Sequence, residues 1–130
     1  PDRIATQVAG YAPGRAVLLK NQFRYDLGTG ECRDVSFPHG IDGTILHPVD
    51  ANRYPPWRRG EDSLFANLWR RAAKLTAVDN DPGLYVRLYT GHNTWSRAHV
   101  MSAGKSVADQ DGLGAMLGDL NAACPASGVF

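Results

Sequence analysis

The chain has 130 residues, 43% of them apolar and 21% charged, with 14 glycines and 8 prolines. This composition excludes a disordered segment and suits a single folded domain, rich in turns, with room for a core of its own. A formal net charge of +1 carries no bulk electrostatic signature of a nucleic-acid binder.

The charge is nevertheless uneven. Residues 51–105 hold nine basic and four acidic side chains, whereas residues 106–130 hold three aspartates and no base. Eleven of the 14 cations are arginine. That side chain grips planar anions such as phosphate, and its stem equally covers apolar neighbours.

In chain order, residues 1–14 are weakly patterned, with a short helix or strand expected between Ile4 and Tyr11. From Arg15 to Leu27 the alternation predicts one long strand, interrupted at Asn21, and Gly28-Thr29-Gly30 turns it back into a partner over Cys32 to Phe37. Thr44-Ile45-Leu46 reads as a further short strand. Residues 51–60 form an exposed loop stiffened by Pro55-Pro56. Its Tyr54, Trp57 and Arg58 suit either a contact surface or a loop clamped by its own indole.

Glu61 to Ala77 is the firmest helix. Asp62 or Ser63 is its expected cap, and Leu64, Phe65, Leu68, Trp69, Ala72 and Leu75 form one apolar stripe. Leu84 to Ser102 then shows two alternating runs around Gly91-His92-Asn93, which predicts a β-hairpin. A second helix is expected over Val107 to Ala123. The resulting class is α+β: an antiparallel sheet of about four to five strands with two main helices packed chiefly on one face. No apolar run approaches the length of a membrane span.

Cys32 and Cys124 lie outside any metal-binding spacing. A bridge between them would close a long loop, worth roughly 4 kcal/mol in the chain-entropy model. Such a bridge, with a chain that opens at Pro1 rather than Met, points to a secreted or exported protein.

The exposed face of the predicted hairpin carries the chemistry. Tyr85, Arg87 and Tyr89 are expected beside Trp95, Arg97 and His99. A histidine among arginines and aromatics is a workable site for cleaving a phosphodiester. His99 would move the proton, Arg87 and Arg97 would clamp the phosphate, and Tyr85, Tyr89 and Trp95 would stack on bases. A second base would come from Glu31, His92, His39 or His47. Lys105 and Ser106, in an Ala-Gly-Lys-Ser stretch before the expected second helix, offer a phosphate cradle, although the full phosphate-loop motif is absent and a plain helix cap serves as well. Metal ligation, a thiol nucleophile at Cys32 and paired-carboxylate chemistry find no positive support, and no cofactor is implied. Two functions follow. One is a small delivered effector, a toxin-like ribonuclease acting on RNA or another phosphodiester. The other is a non-catalytic module (an inhibitor, immunity-like protein or adhesin) that binds a protein partner through loop 51–60.

Overall fold

The computed structural model describes residues 2–49, 52–57 and 59–107. The first half contains helix α1 (Asp2–Ala9) and strands β1 (Ala16–Leu19), β2 (Asn21–Asp26) and β3 (Cys32–Ser36). Helix α2 (Glu61–Arg71), strands β4 (Leu75–Val78) and β5 (Val86–Tyr89), helix α3 (Arg97–Met101) and strand β6 (Lys105–Val107) follow. The α+β class holds, with a two-stranded sheet and a mixed four-stranded sheet. The chain divides into two units, one comprising Pro1–Gln22 with Ser36–Tyr85, the other Phe23–Val35 with Val86–Phe130.

The first unit is organised on β1. Its Ala-Val-Leu-Leu run is buried at every position, as suits a strand covered on both faces. β1 pairs in parallel with β4, from Ala16 opposite Leu75 to Leu19 opposite Val78. A parallel pair needs a crossover, and α2 lies within that connection. Ala16, Phe65 and Trp69 form the core, joined by Ile45 and Leu75. α1 meets β1 through an inward-turned amide: the buried Gln7 donates from Nε2 to the carbonyls of Val17 (3.2 Å) and Thr44 (2.6 Å).

Four local expectations change here. The long strand over 15–27 breaks at Lys20, where a side chain takes over the pairing. Asn80 accepts the Lys20 and Asn21 N–H groups on Oδ1, both at 3.0 Å, and donates from Nδ2 to the Asn21 carbonyl at 2.9 Å. The strand expected at 44–46 is instead a 3-10 turn over Asp42–Thr44 followed by a single antiparallel bridge from Leu46 to Val17. α2 begins after Gly60, which occupies the cap position at φ 74° without a side-chain cap, so neither Asp62 nor Ser63 caps it.

α2 also stops at Arg71 rather than Ala77. Ala73 turns left-handed at φ 54°, its N–H reaches the Arg70 carbonyl at 3.0 Å, and the Lys74 N–H reaches the Trp69 carbonyl at 2.9 Å. This paired reversal satisfies the last carbonyls of the helix. It also frees Leu75, Thr76, Ala77 and Val78 to form β4.

The second unit is built on the four-stranded sheet, in the order β5-β2-β3-β6. The expected hairpin is present between β2 and β3: the Asp26 N–H donates to the Glu31 carbonyl (2.9 Å) and the Gly30 N–H to the Asp26 carbonyl (2.8 Å). β5 joins β2 in parallel, Phe23 opposite Val86 through Asp26 opposite Tyr89, while β6 joins β3 antiparallel. Phe23 and Cys32 cluster with Tyr25, Val86, Leu88 and Val107. By alternation, Arg24, Asp26, Arg87 and Tyr89 occupy the other face of β2 and β5.

The hairpin expected over 84–102 is not formed. β5 has no antiparallel return strand, residues 90–96 run exposed, and 97–101 is helical. Ser96 caps that helix by accepting the His99 N–H (3.3 Å), and the adjacent Val100 and Met101 are both buried. Two consecutive buried apolar residues cannot belong to one face of a strand, whereas a helix can turn both inward. The expected second helix, with Cys124 and its bridge to Cys32, lies outside the described residues beyond Val107. No helix among the described residues is long and apolar enough to cross a membrane.

Candidate functional site

The residues proposed for phosphodiester chemistry gather only in part, and the gathering lies in the second unit. His99 sits on α3 with its ring stacked on that of Trp95, centroids 4.6 Å apart and planes 24° apart. Trp95 lies just before the Ser96 cap and His99 in the first turn of the helix. Both residues are exposed.

Arg97, two positions before His99, points elsewhere, since residues two apart on a helix do not share a face. Its Nε contacts the Asp26 carboxylate, its Nη2 donates to Glu31 Oε2 at 2.6 Å, and Arg33 holds the other oxygen of Glu31 at 2.7 Å. Asp26 is almost wholly buried and also accepts the Gly28 N–H at 2.9 Å. Burial pushes its carboxyl up, but hydrogen bonds from Arg97, Gly28 and Thr29, with the Arg97 charge, outweigh it and hold the group below the usual carboxylate range. Glu31 is held low first by Arg33 and then by Arg97. Arg97 is in turn held above its ordinary value by the same two carboxylates. The expected phosphate clamp is therefore a clasp between α3 and the β2–β3 hairpin.

Arg87 lies on β5 directly opposite Arg24. Arg24 is buried and donates to the Val100 carbonyl at 2.6 Å, so β2 also grips α3 from below. Burial, and then the neighbouring Arg87 charge, lower the Arg24 pKa. Tyr89 is half-buried at the end of β5 and accepts the Leu27 N–H on its carbonyl at 3.0 Å.

No protein-family model, curated protein or solved structure matches this chain.

Tyr85 belongs to the first unit, where the Arg3 guanidinium covers its ring at 5.1 Å. Lys105 and Ser106 pair with Asp34 and Arg33 in β6, so the stretch is strand rather than the mouth of a helix, and the phosphate cradle loses its basis. Gly104 serves that strand: at φ 90°, a Cβ there would meet the Asp34 carbonyl oxygen at 2.3 Å, so close an approach to β3 admits only glycine. In the loop, Tyr54 stacks on Phe65 (4.1 Å, 12°), and burial, followed by the charges of Asp62 and Glu61, raises its pKa. Trp57 is 62% exposed, and Arg58 lies outside the described residues. Of the histidines considered as second bases, His92 is exposed in the 90–96 loop, His39 lies in the first unit, and His47 packs edge-on against Phe65 at 4.8 Å.

Sequence reasoning missed Asp26 as an anchor and misassigned Arg97. Nothing local marks a pair 71 residues apart. The Ser96 cap three residues before His99 was the available sign of a helix.

Proposed function

We propose that the second unit binds and cleaves RNA, or another phosphodiester, at the exposed Trp95–His99 pair. The observation that carries this reading is that stacked pair, an indole beside an imidazole at a capped helix start. Trp95 offers a face for an unpaired base, and His99 is the proton-transfer group. Arg87 supplies the positive charge in this reading, because no carboxylate among the described residues lies within ion-pairing distance of it. Arg97 positions α3. A delivered, toxin-like setting with Cys32 bridged to Cys124 belongs to the same proposal, and a thiol assay with and without reductant tests the bridge.

The experiment is a cleavage and binding assay on labelled single-stranded RNA at two salt concentrations. His99→Ala is expected to lower turnover by about 100-fold or more while leaving binding in place. Trp95→Ala is expected to weaken binding by about 1–3 kcal/mol. RNA left intact, with no salt-sensitive binding, would sink the reading.

A second reading rests on Trp57, a largely exposed indole on a proline-stiffened loop whose other aromatic is anchored on α2. Indoles of this kind are common anchors in protein interfaces. This reading predicts no turnover, together with a partner lost on Trp57→Ala but retained on His99→Ala.

A further inference from the structure

The first unit contains a hollow of about 470 Å³ along the β4 face, walled by three basic side chains from separate segments: Lys20 at the end of β1, His39 in the loop after β3, and Arg70 near the end of α2. Pro38, Ala73, Leu75 and Ala77 complete its lining. Small-molecule sites occupy about 300–1,000 Å³ and combine an apolar lining with a few convergent polar groups.

Each base is available to a ligand. The Lys20 ammonium lies 3.0 Å from Asp79, whose side chain is 84% exposed, and so solvated a pair is weak enough to be displaced. Arg70 is steadied by Asp42 at 2.9 Å and by Asn67, and its guanidinium has N–H donors beyond those two. Its pose is therefore set without its capacity being exhausted. The His39 ring is exposed and makes no hydrogen bond to the described residues. The wall beside these groups includes Ala73 in the left-handed conformation, a position that glycine would occupy with less strain.

We propose that this hollow binds a phosphate monoester with an apolar or aromatic body, of about the size of a nucleoside monophosphate. Three donors from separate segments suit a phosphate, whose oxygens accept from several directions. The volume exceeds what a bare phosphate fills, so the body lies on Leu75 and Ala77. This site is separate from the RNA reading and does not depend on it.

The test is equilibrium dialysis of the whole chain against adenosine 5′-monophosphate, adenosine and inorganic phosphate. Saturable binding of the monophosphate is expected, tighter than that of either fragment. Lys20→Met and His39→Ala should each weaken it by roughly tenfold. Arg71→Ala, on an exposed helix position outside the hollow, should leave it unchanged, as should His99→Ala in the other unit. Circular dichroism confirms that each variant stays folded. The proposal is overturned by absence of saturable binding at millimolar monophosphate, by equal affinity for adenosine, by full affinity in both hollow variants, or by loss on His99→Ala.

Discussion

Among the described residues, Ala73 is the non-glycine residue in the left-handed conformation. A left-handed conformation costs an L-residue roughly 1–2 kcal/mol, whereas glycine loses about 0.5–1 kcal/mol of extra chain entropy on ordering. The balance favours glycine at φ 54°. Ala73→Gly should therefore raise the denaturant midpoint by an amount equivalent to about 0.5–1 kcal/mol. A lowered midpoint would mean that the methyl packs more favourably than the backbone is strained. Asp26 represents the opposite case, a residue with several partners. Its carboxylate serves the Gly28 N–H and Arg97 together, so Asp26→Ala strips the Gly28 N–H of its acceptor and leaves Arg97 with Glu31 as its one remaining carboxylate among the described residues. A loss of about 1–3 kcal/mol is expected, to be measured by chemical denaturation.

Among the elements, α3 depends most on its surroundings. Five residues cannot hold a helix alone in water. α3 persists because Ser96 caps it, Val100 and Met101 are buried, Arg24 binds the Val100 carbonyl and Arg97 reaches Asp26 and Glu31. Amide exchange at Val100, whose N–H bonds to Ser96 at 3.0 Å, should become markedly faster in Asp26→Ala while β1 amides keep their protection. Equal loosening of both would show that the clasp is not local to α3. The Trp95–His99 stack stands on this element, so the same substitution is expected to reduce RNA binding without touching either ring. By contrast, α2 carries its own stripe of Phe65, Ala66 and Trp69 into the core, and its exposed Leu68 and Arg71 are incidental to that packing.

Across the whole molecule, the acid limb of stability should report the second unit. The folded-state pKa values of Asp26 and Glu31 lie below their ordinary values. Their contribution is therefore complete above the unfolded carboxyl range, near pH 4, and is lost as pH falls through the lower folded values. Tryptophan fluorescence followed from pH 6 to pH 2 should show a transition below about pH 4, and Asp26→Asn should flatten it. A transition unchanged by that substitution would assign acid sensitivity to other carboxylates. Exposed pairs such as Lys20 with Asp79 contribute about 0–1 kcal/mol at most and do not shape this limb.

Of the stripe expected on α2, Phe65 and Trp69 turn inward, whereas Leu68 is exposed and Leu75 lies in β4. The α+β class, the β2–β3 hairpin around Gly28-Thr29-Gly30 and the helix from Glu61 with Phe65 and Trp69 inward were legible in the sequence. Each follows from a local period or a turn residue. Tertiary structure decided the parallel pairing of β1 with β4 and of β2 with β5, the end of α2 at Ala73, and the helical state of 97–101. A five-residue stretch is too short for its period to separate helix from strand. Its partners, Arg24, Asp26 and Glu31, lie more than 60 residues earlier in the chain, where no spacing rule reaches. Whether Arg97 meets a phosphate or a carboxylate was therefore set by which surface α3 packs against, and that surface exists only once β2 and β3 have folded.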